Sequence, residues 1–133
     1  MSVITPEQLA APGTEHAHQT ALFAWAALNV GRFPELALLF AIPNGGERNK
    51  IVAARLKAEG AKAGMLDMML PVARQGMHGL FIELKRPSSV GKRKGLTSDK
   101  QDFWIDELHK QGYGACSCIG WEDARDILVL YLS

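Results

Sequence analysis

Two apolar runs separated by a short loop, residues 67–72 and 80–86, constrain this chain more than any other feature. The second contains Leu-Phe-Ile-Glu-Leu-Lys, a strand pattern in which successive side chains alternate between faces. Ile82 and Leu84 then point into a core, while Glu83 and Lys85, at i and i+2, share the opposite face. The loop between the runs contains Gly76 and Gly79, so the pair reads as an antiparallel hairpin that carries Asp67 on its first strand. Two carboxylates and one ammonium can thereby converge. Acidic oxygens suit a hard divalent cation such as Mg2+, and a neighbouring lysine suits an attacking water or a phosphate oxygen, which is the chemistry of phosphodiester hydrolysis. Taken singly, Asp67 is also an ordinary turn former. Glu83 and Lys85 are also an ordinary ion pair on an exposed sheet surface, worth under about 1 kcal/mol.

The flanking segments supply helices. Thr5-Pro6-Glu7-Gln8 matches a capping box with proline at the first helical position, and Thr14 can cap a longer helix reaching about residue 29. In that helix Ala17, Ala21, Leu22, Trp25 and Leu28 recur at three- and four-residue spacing and predict one buried face. His16 and His18 diverge at i and i+2, which reads as two surface histidines rather than a ligand pair, and His78 and His109 lack partners at a recognisable spacing. Residues 36–42 form an apolar run of strand length that breaks at Pro43-Asn44-Gly45-Gly46. Asn49 can cap a helix bearing Ile51, Val52, Ala54, Leu56 and Ala58, with Gly60 as its stop. Thr97 or Ser98 caps a further helix bearing Phe103, Trp104, Ile105 and Leu108 and ending at Gly112. A strand over 113–119 and a helix over 122–132, with Ala124, Ile127, Leu128 and Leu130 to Leu132 as its apolar residues, complete the chain. The order predicts an α/β fold, a mixed β-sheet flanked by α-helices, in a single domain over residues 1–133 with residues 1–13 as a leader holding a short helix.

A length of 133 residues with 47% hydrophobic content suffices for one domain with its own core. The apolar runs are too short to span a bilayer, and the N-terminus lacks a basic start and apolar stretch, so a cytoplasmic protein is expected, with no membrane partner. Cys116 and Cys118, the only cysteines, would share one strand face, and two thiols alone cannot complete a zinc site; they read as small buried residues. The net charge of +1 hides an asymmetry. Lys85, Arg86, Lys92, Arg93, Lys94 and Lys100 are set against Asp99 alone, whereas in residues 101–133 the balance reverses, with Asp102, Asp106, Glu107, Glu122, Asp123 and Asp126 against Lys110 and Arg125. A basic face on a nearly neutral protein is compatible with this pattern, as is a solvated loop followed by solvated helices.

These residues, in this order, resemble the VRR-NUC (virus-type replication-repair nuclease) domain of the PD-(D/E)xK nuclease superfamily. The resemblance covers most of the chain: Glu15 in the first long helix, Ile42-Pro43-Asn44-Gly45-Gly46 with Arg48, the segment 56–64, Asp67, Ile82-Glu83-Leu84-Lys85, and Leu96-Thr97-Ser98 ahead of Gln101 and Trp104. It departs from the family pattern at Leu66, where proline usually precedes the aspartate. Proline there shapes the chain and ligates nothing, so the difference bears on local rigidity.

The resemblance implies a restriction-endonuclease-like fold and a metal site. Asp67 and Glu83 would be ligands, with the backbone carbonyl of Leu84 as a further oxygen and Lys85 orienting the attacking water. Glu15 matches an acidic position that reaches the metal directly or through water, although an acid in a helix's first turn is also favoured by the dipole alone. Gln101 matches a glutamine that helps organise the site. Asn44, Gly45, Arg48, Lys62, Lys92, Arg93 and Lys94 are candidate contacts to the DNA backbone, whereas Trp25, Trp104 and Trp121 suit helix packing. The implied protein is a Mg2+-dependent endonuclease, with Mn2+ as a possible substitute and no organic cofactor. Compact stand-alone members of the family, frequent in bacteriophage genomes, imply a homodimer acting on branched DNA such as Holliday junctions. The alternatives are a noncatalytic nucleic-acid-binding subunit and a flap or restriction-like nuclease.

Overall fold

The computed structural model describes residues 3–43, 49–87 and 97–133. Helix α1 (Pro6–Ala10) starts from the capping box, with Thr5 and Gln8 each bonding the other's backbone, and α2 (Glu15–Leu28) starts where the Thr14 hydroxyl accepts the Ala17 N–H. Ala17, His18, Ala21, Leu22 and Ala26 form the buried stripe of α2. Two expectations for this helix are corrected. Leu28 is 65% exposed, because it is the last residue of the helix although it lies within about 20° of Ala21 round the axis, and His18 is buried.

Residues 36–42 do not form the expected strand. Pro34 begins a 3-10 helix, Pro34–Leu38, which consumes the first half of the apolar run and leaves a two-residue strand β1 (Phe40–Ala41). Helix α3 (Lys50–Ala58) is capped by the Asn49 side chain, and among the described residues none in α3 is fully buried. Strands β2 (Met68–Leu70) and β3 (Leu80–Lys85) form the hairpin, and Asp67 stands one residue ahead of β2 rather than within it. Helix α4 (Asp99–Lys110), strand β4 (Gly114–Ile119) and helix α5 (Trp121–Leu132) follow. Phe103 and Leu130, two of the apolar residues these helices bear, are exposed.

The four strands lie in the order β1-β2-β3-β4, antiparallel except for β4, which runs parallel to β3 after the α4 crossover. Each face of this mixed sheet covers an apolar cluster. Met68, Leu70, Leu80, Ile82, Leu84 and Cys118 pack with Leu22 of α2 and Leu128 of α5, while Phe81, Ala115 and Leu66 pack with Leu108 of α4. The cysteines share a face as their spacing predicts; their sulfurs are 4.0 Å apart and both thiols are free. Among the described residues no helix is long and apolar enough to cross a membrane.

Candidate active site

The hairpin register itself brings the acids together. Met68 pairs with Ile82, so one step further Asp67 stands opposite Glu83, on the face they share with Phe81. The ladder ends there, and the next inward-facing N–H of β3, that of Leu84, donates to Asp67 Oδ2 at 2.7 Å. The backbone of Asp67 is held from the other side, its carbonyl accepting the Ile42 N–H at 2.7 Å. Because the N–H and C=O of one strand residue point the same way, the Leu84 carbonyl also opens on the Asp67 side.

Glu83 is only 2% exposed. Burial is the main reason its carboxyl is pushed up to about 9; the protonated group donates to the Asp67 carboxylate, whose charge adds to the effect, as does that of Glu15. Lys85 opposes them, with Nζ 3.6 Å from Glu83 Oε2 and a side chain 13% exposed. The expectation of a possible ion pair on an open sheet surface is therefore corrected: the pair lies at a nearly closed strand end. Two carboxylates in contact, opposed by a single ammonium, with a carbonyl beside them, make an oxygen-rich set suited to a hard divalent cation. Among the described residues no three His, Cys, Asp or Glu side chains already form a metal-binding group.

Glu15 is the first residue of α2 and lines, with Asp67, a cleft of about 520 Å³ between α2 and the β1–β2 edge. The remaining walls are His16, Gln19, Thr20, Phe23 and Ala41. Gln101 is committed elsewhere: its Oε1 accepts the Ser98 N–H at 3.0 Å and its own N–H donates to Ser98 Oγ, a capping box that starts α4. Lys62 is exposed in the turn ahead of Gly64. Asn44, Gly45, Arg48, Lys92, Arg93 and Lys94 lie outside the described residues.

A solved structure of a VRR_NUC domain protein is similar to this chain, with a TM-score of 0.72 and 27% identity, across 90% of this chain and 88% of that one. The chain folds as a VRR-NUC domain. No family model matches it, and no curated protein matches it.

Within the VRR-NUC fold two supports of the site carry no charge signature. Gly64, at φ +79°, lets its loop press on the start of α4, where a Cβ would come within 2.8 Å of the Lys100 backbone; the Trp104 indole N–H donates to the Ala63 carbonyl beside it at 3.1 Å. On the other face, Trp121 N–H donates to Nδ1 of buried His18 at 3.0 Å, and Gly120 N–H donates to the Lys85 carbonyl at 2.8 Å. His18 thereby ties α2, one turn after Glu15, to the end of β3. Burial lowers its pKa, against the pull of Glu122. The signal available in the sequence was a histidine on the apolar stripe of α2.

Proposed function

We propose that this protein is a divalent-metal-dependent endonuclease that hydrolyses DNA phosphodiesters, with Mg2+ as the natural cation and Mn2+ as a substitute. The juxtaposition of Asp67, Glu83 and Lys85 at the end of β3, in a VRR-NUC fold, carries this reading. Asp67 and Glu83 would hold the cation, with the Leu84 carbonyl as a third oxygen and Glu15 reaching it from α2. When held there, the cation supplies charge neutralisation at the phosphate and acidifies the water that attacks it. Lys85 holds that water in line and counters the charge that develops on the phosphate oxygens. Glu83, kept neutral by burial and by the Asp67 charge, would give its proton to solvent on ligating a cation, whose charge would offset that of Asp67.

The preferred substrate in this reading is branched DNA, cut by a homodimer. One domain offers one such constellation, and two copies about a twofold axis present two to the paired strands of a junction. Lys62, together with Asn44, Gly45, Arg48 and the Lys92-Arg93-Lys94 cluster, would grip the backbone without reading sequence.

The test is cleavage of a labelled four-way junction beside a linear duplex of matching sequence, in Mg2+, Mn2+ or EDTA, by wild type and Lys85→Ala. Metal-dependent junction cutting that the variant loses is expected. Wild type that binds both DNAs and cuts neither in any metal would make the protein a noncatalytic binder. A monomer in sedimentation, both alone and on junction DNA, would remove the dimer.

A further inference from the structure

The cleft between α2 and the β1–β2 edge shares Asp67 and Glu15 with the candidate metal site, yet its chemistry is unlike that of a phosphate-binding groove. His16, Gln19 and Phe23 occupy positions i, i+3 and i+7 of α2, one helical face, and all three line it. Among the described residues no lysine or arginine does so. This follows from the sequence: α2 contains no lysine or arginine, and the first in the chain is Arg32. The charged walls, Glu15 and Asp67, are the carboxylates that the nuclease reading gives to the cation, so beyond that cation the wall of α2 offers a phosphodiester no counter-charge among the described residues. An imidazole, a carboxamide and a phenyl ring favour a different occupant, one that is flat, uncharged and able to accept and donate hydrogen bonds at its edge. A cavity of about 520 Å³ lies in the range that holds small organic ligands.

We propose that this cleft receives an unstacked nucleobase adjoining the cleaved phosphodiester, with His16 and Gln19 bonding its edge and Phe23 forming its apolar wall. The inference rests on the nuclease reading, and it adds what that reading lacks, a reason for selecting DNA structure. A base inside a regular duplex is paired and stacked, and extracting it costs a few kcal/mol; at a branch point or a single-stranded nucleotide much of that cost is already met. The division of labour is chemical: phosphate goes to the cation and Lys85 at the end of β3, and the uncharged base to the wall of α2 formed by His16, Gln19 and Phe23. The Thr20 hydroxyl donates to the His16 carbonyl at 2.9 Å, which leaves His16 and Gln19 as the uncharged hydrogen-bonding side chains of this wall among the described residues.

The experiment is single-turnover cleavage of junction DNA in which each nucleotide flanking the cut is replaced in turn by an abasic residue, using wild type, His16→Ala and Gln19→Ala. His16 is exposed and Gln19 half-buried, so both variants are expected to fold, which circular dichroism checks. One abasic position should slow wild type about tenfold, the scale of a lost base contact. Gln19→Ala should slow cleavage of intact DNA and be nearly insensitive to that abasic residue, because the contact is removed only once. Abasic substitution without effect on wild type at every flanking position, or losses that simply multiply in the variants, overturns the base site while leaving the nuclease standing. Wild type that cuts no DNA in any metal overturns both.

Discussion

The two faces of β3 are almost equally buried and differ in almost everything else. On one, Leu80, Ile82 and Leu84 meet α2 and α5 in an apolar cluster that leaves Ile82 wholly inaccessible. On the other, Phe81 begins an apolar layer under α4, but the next two positions are Glu83, buried, and Lys85, half-buried with its side chain 13% exposed. Alternation in an antiparallel hairpin ordinarily sends polar side chains into solvent. Here it sends them into a second interior. A buried carboxyl beside another carboxylate costs stability, a cost that proteins carry mainly where function needs it.

The contrast is broken most severely at the polar face. Asp67→Asn or Glu83→Gln should lower metal-dependent cleavage by at least about a thousandfold, about 4 kcal/mol in the barrier, with the fold retained. Cleavage within tenfold of wild type would take the acids out of the chemistry. On the apolar face, Ile82→Ala should cost about 3 kcal/mol of stability, read by denaturant unfolding, and leave cleavage per folded molecule unchanged. A smaller effect of opposite sign is expected for Glu83→Gln in EDTA. The carboxyl lies at about 9 in the fold against 4.5 ordinarily, so metal-free stability falls as pH rises through that interval. The amide removes the charge and should gain about 2 kcal/mol at pH 7, less than the full linkage value because it is itself a buried polar group. The smallest effect belongs to His18. Its folded pKa is lowered, so its contribution is complete above the ordinary value near 6.5 and is lost as pH falls below it, when protonation removes the acceptor of the Trp121 N–H. His18→Gln should flatten that acid limb, and an unchanged limb would assign it to other groups.

Much of the frame was legible from local chemistry. Thr5 with Gln8, Thr14, Asn49 and Ser98 start their helices as side-chain caps should, and the hairpin of β2 and β3 follows from its apolar runs and glycines. Local rules also misled where two of them competed. The apolar run of residues 36–42 has strand character, but Pro34 just ahead of it starts a 3-10 turn and leaves β1 only Phe40 and Ala41. Gln101 matches a site position by resemblance, and Ser-x-x-Gln is also a capping box; in the fold its Oε1 accepts the Ser98 N–H.

By itself, then, the sequence determined which residues share a face, because the periods of helix and strand are properties of the backbone. Glu83 lies with Lys85 and away from Ile82 in any strand this segment can form, and His16 and His18 diverge on any helix. Which of the diverging pair enters the interior is not a local property. His18 is buried because α5 begins beneath it and offers the Trp121 N–H, whereas His16, two residues earlier, stays on the open side of the cleft. The meeting of Asp67 with Glu83 likewise required the pairing of Met68 with Ile82, a register set by packing on both sheet faces. Periodicity acts through neighbours in the chain; burial and convergence depend on what the rest of the chain brings alongside.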